Sequence, residues 1–231
     1  MTTTAVIPIK QLADAKQRLS GMLTSDERTR LFRAMVEDVL VAVEVCPRID
    51  EILVVTSDAE VAELVRGFGA RVMPEPENPG LIPAVTAAGN LLAELPDNTL
   101  VFVPGDVPLS TPEDLEVVLD GFGSSAEAEF TIVPASDLGG SNCVACSPPD
   151  CMEFGFGEDS FRRHLRIAET RGIVPIVTRL PGIGLDIDTP DDLNELGQTL
   201  YESGQEKATF TYLLESGILE RVCPDLLRLE A

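Results

Sequence analysis

Thr99-Leu100-Val101-Phe102-Val103-Pro104-Gly105-Asp106-Val107-Pro108-Leu109 runs from a short β-rich segment straight into a rigid turn. The apolar part reads as a buried strand. Prolines two before and two after Asp106 hold its carboxylate at the strand's carboxyl end. Thr111 then caps a helix that starts near Pro112. A turn or capping role is the plain alternative for Asp106, and Thr111 weakens it by supplying the cap itself.

The same alternation extends outward in both directions. Strands are expected at residues 5–9, 51–56, 71–73, 99–103, 130–133, 143–146 and 173–178. A helix from about Ser25 carries Leu31, Phe32, Met35, Val36, Val39, Leu40 and Val43 at helical spacing. Ser57-Asp58 can cap a helix through Val65. Further helices are expected over 84–95, behind Pro83 and before Pro96, over 159–171, and over 190–201, capped by Thr189. Strands alternating with helices imply an α/β fold whose sheet is mainly parallel and covered on both faces. Residues 1–202 form one domain. The tail, 203–231, is expected to be helical over 209–219 and to serve packing or a homodimer contact. Ligands of such sheets bind at the carboxyl ends of the strands.

Composition removes several classes. No run approaches the ~20 apolar residues of a membrane span, and the N-terminus has no secretory pattern, so the expected location is cytoplasmic. Five cysteines then read as reduced thiols. A net charge of -22 argues against nucleic acid as a partner. Of only three lysines, Lys10 and Lys16 sit in the first sixteen residues beside Arg18. In an acidic chain this cluster reads as functional, with a solvated loop as the alternative.

Three constellations carry chemistry. The loop from Pro8 to Leu19 presents Lys10, Lys16 and Arg18 within nine residues, an arrangement suited to a triphosphate although the glycine spacing of a P-loop is absent. In Gly184-Leu185-Asp186-Ile187-Asp188-Thr189-Pro190, an extended backbone projects Asp186 and Asp188 to one side. With Asp106 they could bind Mg²⁺ and leave places for phosphate oxygens; alternatively, Asp188 belongs to the start of the next helix. Gly139-Gly140-Ser141-Asn142 and Phe156-Gly157-Glu158-Asp159-Ser160-Phe161 read as elements of an acceptor site, with helix N–H groups near Ser160 open to an anion. His164 shares a face with Ser160 and is equally explained as a packing residue. Cys143 and Cys146 should point to opposite faces of their strand, which disfavours zinc.

Taken together, these residues resemble the guanylyltransferase family of coenzyme F420 biosynthesis, over about residues 5–200. The carriers are Pro8-x-Lys10, Lys16-x-Arg18-Leu19, Glu27-Arg28…Ala34-Met35…Asp38-Val39-Leu40, Gly105-Asp106-Val107-Pro108-Leu109, Gly140-Ser141-Asn142, Phe156-Gly157-x-x-Ser160-Phe161-x-x-His164 and Leu185-Asp186-Ile187-Asp188-Thr189-Pro190. The resemblance implies a Rossmann-like nucleotidyltransferase fold and Mg²⁺ on Asp106, Asp186 and Asp188. It also implies an acceptor phosphoacid near Ser141, Gly157 and Ser160, and a nucleotide near Gly80. Two positions depart from the family pattern. Gly80-Leu81-Ile82-Pro83 replaces Gly-Leu-Asn, and Ser141 replaces a threonine.

The expected reaction is attack by an acceptor phosphate oxygen on the α-phosphate of GTP, with Lys10, Lys16 and Arg18 on the triphosphate. The acceptor is a three-carbon phosphoacid: 2-phospho-L-lactate, phosphoenolpyruvate or 3-phosphoglycerate. Because the nucleophile is already ionised, catalysis reduces to positioning and charge neutralisation. Three alternatives remain: a nucleotidyltransferase for a cofactor or sugar phosphate, a metal-dependent glycosyltransferase, and a non-catalytic GTP-binding regulator.

Overall fold

The run Thr2–Pro8 forms β1, whose alternate side chains are buried on opposite faces: Ala5 and Ile7 join one core and Val6 the other. The computed structural model describes residues 1–95, 97–123, 127–224 and 226. β1 pairs in parallel with β2 (Glu51–Val55) and with β4 (Asn98–Phe102), and β2 pairs in parallel with β3 (Arg71–Met73). Beyond β4 lie β6 (Ser141–Ser147), β5 (Glu129–Pro134) and β7 (Ile176–Val177), which completes the order β3-β2-β1-β4-β6-β5-β7. β6 runs antiparallel to both neighbours. The reversal follows from the short Gly139-Gly140 connection, because a parallel return needs a crossover of a dozen or more residues. It brings the amino end of β6 to the edge where β1, β4 and β5 end.

Helices cover both faces, as expected. On one side pack α1 (Ser25–Glu44), α4 (Pro112–Val118) and α7 (Pro190–Ser203), together with α2 (Ala59–Arg66) and the single turn α6 (Pro181–Gly184). On the other pack α3 (Leu81–Ala93) and α5 (Ser160–Thr170). Thr24 with Glu27, Thr111 with Asp114 and Thr189 with Asp192 each form a reciprocal cap, and Asp58 caps α2. Cys143 and Cys146 do lie on opposite faces.

Three elements differ from expectation. α3 starts at Leu81 with Pro83 inside its first turn, where a missing N–H is no loss; Pro96, expected to stop it, lies outside the described residues. The strand over 173–178 contracts to Ile176–Val177, because Pro175 cannot donate to a ladder and β7 is an edge. The helix over 209–219 is broken at Gly217, φ +68°, into α8 (Ala208–Glu215) and α9 (Ile218–Val222). Asp38 of α1 accepts from the N–H groups of Ala208 (2.7 Å) and Thr209 (2.9 Å), docking α8 on α1. Of the tail, residues 225 and 227–231 lie outside the described residues. No described helix is long and apolar enough to cross a membrane.

Candidate active site

The loop after β1 is pinned by two buried leucines, Leu12 and Leu19, each within a single 3-10 turn. Between the turns Lys16 adopts a left-handed conformation, φ 53° and ψ 41°. A non-glycine residue is held there at a cost of about 1–2 kcal/mol, a strain found where side-chain placement matters. Its side chain is only 4% exposed, and the ammonium lies 2.6 Å from Asp106 Oδ2 and 3.0 Å from Asp188 Oδ1. It also sits 5.5 Å from the centre of the Phe32 ring. Burial alone would lower the Lys16 pKa, but Asp106 and Asp188 outweigh it and the net shift is upward. Arg18 is exposed and reaches Asp188 Oδ2 at 3.3 Å. Lys10 is exposed and has no carboxylate partner among the described residues. The three cations therefore differ in state: Lys16 is already committed to two acids.

The third constellation lies beside the second. Ile187 N donates to Asp106 O at 3.1 Å, and the Ile187 side chain is buried in the core. Its neighbours Asp186 and Asp188 consequently face the cleft, as period-2 geometry requires. Capping falls to Thr189 and Asp192, whose carboxylate also accepts from Asp188 N at 3.0 Å, so the Asp188 side chain is not the cap. Asp186 accepts from Asn142 Nδ2 at 2.9 Å, and the same amide reaches the carbonyls of Ile183 and Gly184. Burial raises the Asp186 pKa; the Asn142 bond opposes this, and Asp106 and Asp188 add to it. Among the described residues no three His, Cys, Asp or Glu side chains form a ready group of metal ligands.

Two cavities open along this edge. One of about 280 Å³ is lined by Lys10, Lys16, Phe32, Glu75 and Gly80. Gly80 caps α3 at φ 148°, a conformation that favours glycine. The other, about 760 Å³, is lined by Arg18, Ser141, Gly157, Ser160, Asp186 and Asp188. Leu81, Pro104 and Asp106 belong to both walls. The residues singled out in the sequence thus divide between two adjoining spaces, with Asp106 at the junction.

The wall of the larger cavity is more tightly built than the sequence indicates. Gly157 has φ 105° and Asp159 φ 54°, so the loop before α5 turns sharply. Arg163 Nη1 donates to Gly155 O at 2.7 Å and Nη2 to Glu158 O at 2.8 Å. His164, fully buried, binds Ser141 Oγ through Nδ1 and Gly155 N through Nε2, both at 2.9 Å. One expectation is corrected: the Ser160 and Phe161 N–H groups that open α5 are not free for an anion. Ser160 N donates to Gly157 O (3.1 Å) and Phe161 N to Gly139 O (3.4 Å), because the loop folds back over the helix start. What this wall still offers the cavity is hydroxyls, and the Ser160 hydroxyl has no hydrogen bond to another described residue. Sequence reasoning missed the clamp by Arg163. Its only signal is adjacency to His164 on a helix whose first turn faces the loop.

Comparison with known proteins bears on this arrangement. The family described as "Guanylyl transferase CofC like" matches residues 3–221. The phosphoenolpyruvate guanylyltransferase of Conexibacter woesei is 34% identical over 200 residues, 87% of this chain and 89% of that one. The 2-phospho-L-lactate guanylyltransferase of Methanothermobacter thermautotrophicus is 32% identical over 196 residues, 85% of this chain and 84% of that one. Among solved structures, a protein of Desulfovibrio desulfuricans G20 described as a candidate nucleotide-diphospho-sugar transferase superposes with a TM-score of 0.77. It covers 96% of this chain and 98% of that one, at 19% identity. A nucleotidyl transferase from Methanothermobacter gives 0.65, over 87% of this chain and 99% of that one, at 15% identity. These last two establish the fold alone. The family match across almost the whole chain, with relatives above 30% identity over more than four-fifths of both sequences, shows that the chain belongs to the CofC-like guanylyl transferase family.

Proposed function

We propose that the chain transfers GMP from GTP to a small phosphorylated three-carbon acid in coenzyme F420 biosynthesis, releasing pyrophosphate. The observation that carries this reading is the pair of cavities meeting at Asp106. A two-substrate transfer needs a donor space and an acceptor space that touch at the reacting phosphorus. The smaller cavity, with Lys10, Lys16 and Gly80 in its wall, suits the nucleotide. The larger, with Ser141, Gly157 and Ser160, suits the acid. An acceptor phosphate oxygen attacks the α-phosphorus, a new P–O–P linkage forms, and the bond to the β-phosphate breaks with its electrons leaving on pyrophosphate. No proton need be removed, since the attacking oxygen is ionised near neutral pH. The work left to the protein is alignment and charge neutralisation. Lys16 and Arg18 act on the triphosphate, drawn from Asp188 by its greater charge.

The residues fit a magnesium ion. Asp106 and Asp188 already share one cation, the Lys16 ammonium, and Asp186 stands in the same cleft wall. Magnesium takes one or two carboxylates and completes its shell with water and phosphate oxygens, so a preformed three-acid cage is not required. Asp106, Asp186 and Asp188 are the residues that would hold it. When bound it would supply neutralisation of the charge that develops on the phosphate oxygens. We also assign the protein to the cytoplasm, where its five free thiols would stay reduced.

The test incubates enzyme, GTP and Mg²⁺ with 2-phospho-L-lactate, phosphoenolpyruvate or 3-phosphoglycerate, and reads pyrophosphate and product mass. The relatives' names favour the first two acids. A guanylylated acid supports the reading. Guanylylation of a sugar phosphate with none of the three acids overturns it, and nucleotide loss without pyrophosphate points to glycosyl transfer.

A further inference from the structure

The single histidine of the chain is fully buried, and the chemistry proposed above gives it no role. Its hydrogen bonds decide its protonation. Gly155 N–H can only donate, so Nε2, at 2.9 Å, must present a lone pair. In the neutral ring the proton is then on Nδ1, which faces Ser141 Oγ at 2.9 Å and donates to it. Ser141 Oγ therefore spends a lone pair on the ring and keeps its own hydrogen free. Ser141 lines the larger cavity, and its hydroxyl has no second partner among the described residues. From this chain of donors we propose that His164 is a positioning residue that turns the Ser141 hydroxyl outward as a hydrogen-bond donor to an anionic oxygen of the acceptor.

This rests on the acceptor reading given above and deepens it. With the other tautomer, Ser141 would donate to the ring and turn lone pairs toward the cleft, which repels a carboxylate or phosphate. The orientation therefore selects for acceptors that bring an acceptor-only anionic oxygen to this place. The surroundings keep the ring neutral and fixed. Phe156 meets it edge-on with centroids 5.1 Å apart, and Phe130 lies 6.4 Å away. Burial, and then the Arg163 charge, lower its pKa to about 4.

Because there is one histidine, ¹⁵N-histidine labelling gives two assignable ring nitrogens in the wild-type protein without substrate. The expected long-range ¹H–¹⁵N spectrum at pH 7 shows a protonated Nδ1 and an unprotonated Nε2. Protonation on Nε2 overturns the proposal. In kinetics, Ser141→Ala and His164→Phe should each raise the acceptor KM about 10-fold or more, as loss of a charge-assisted hydrogen bond does, while the GTP KM changes less than about twofold. His164→Asn, whose amide can donate near the Nδ1 position, should recover part of the loss. Equal rises in both Michaelis constants, or no rise in either, would show that the ring only supports the fold. Failure of every acid as a substrate overturns the function proposed above; the tautomer is read without substrate and separately decides which way the hydroxyl points.

Discussion

Acidification should unload a measurable amount of stability through His164 alone. The folded ring has a pKa of about 4, held down by burial and then by Arg163, against 6.5 for an unperturbed histidine. Between those values the unfolded chain binds a proton that the native chain refuses. Stability is therefore full above pH 6.5 and is lost as pH falls toward 4. Each pH unit well inside that window costs up to ~1.4 kcal/mol; allowing for partial titration near 6.5, lowering the pH from about 7 to 5 costs ~2 kcal/mol. Urea unfolding of wild type and His164→Asn at pH 7, 6 and 5 isolates this contribution, since the variant is histidine-free and the many carboxylates titrate in both chains. The wild-type free energy should fall faster than the variant's by that amount. Parallel curves, within ~0.5 kcal/mol, would mean that the ring is protonated in the folded protein and that its bond from Gly155 is misassigned.

Lys16→Met removes the ammonium shared by Asp106 and Asp188; turnover should fall by more than ~10²-fold, while Mg²⁺ should stabilise the nucleotide-free variant more than wild type. A smaller Mg²⁺-induced shift in Tm would separate Lys16 from the cation site. Asp188→Asn should lower kcat by at least ~10²-fold with an unchanged far-UV spectrum, and near wild-type turnover at limiting Mg²⁺ would remove Asp188 from the proposed ligand set. Asp38→Ala leaves the half-buried Ala208 and buried Thr209 N–H groups at the start of α8 without their acceptor; a loss of ~2 kcal/mol, or about 4–8 °C in Tm, is expected with kcat/KM intact. An unchanged Tm in a scan would show that α8 docks by apolar contact alone.

Much of this molecule is legible along the chain because its signals are local. The Thr–x–x–acid pairs at Thr111 and Thr189 announce α4 and α7 within a residue, since a cap needs only neighbours. Asp186 and Asp188 face the cleft for an equally local reason, the alternation about Ile187. What escaped detection depends on partners distant in sequence. Strand direction is invisible in residues 141–147, so the reversal that carries Ser141 and Asn142 to the site could not be read from the strand itself. Lys16 reads as a free loop cation, yet its partners stand 90 and 172 positions away. The helix start at Ser160 reads as open to anions because nothing local says that Gly139 and Gly157 carbonyls fold over it.

The distribution of charge around the cleft follows from the chemistry proposed for it. A chain of net charge -22 ought to repel two polyanionic substrates, but at physiological salt fields decay over ~8 Å, so distant carboxylates count for little. Locally the balance is different. Within the ion-paired cluster at the cavity junction, Asp106 and Asp188 meet Lys16 and Arg18, two acids against two cations. Such a set is near neutral when empty, which is why Lys16 can be buried at all: its charge is answered at 2.6 and 3.0 Å. A divalent cation on the acids would free the ammonium and turn the junction net positive just where a triphosphate must sit. On this reading the acids and Lys16 are one exchangeable unit, and the left-handed turn at Lys16 sets the ammonium where either partner, carboxylate or phosphate, lies within reach.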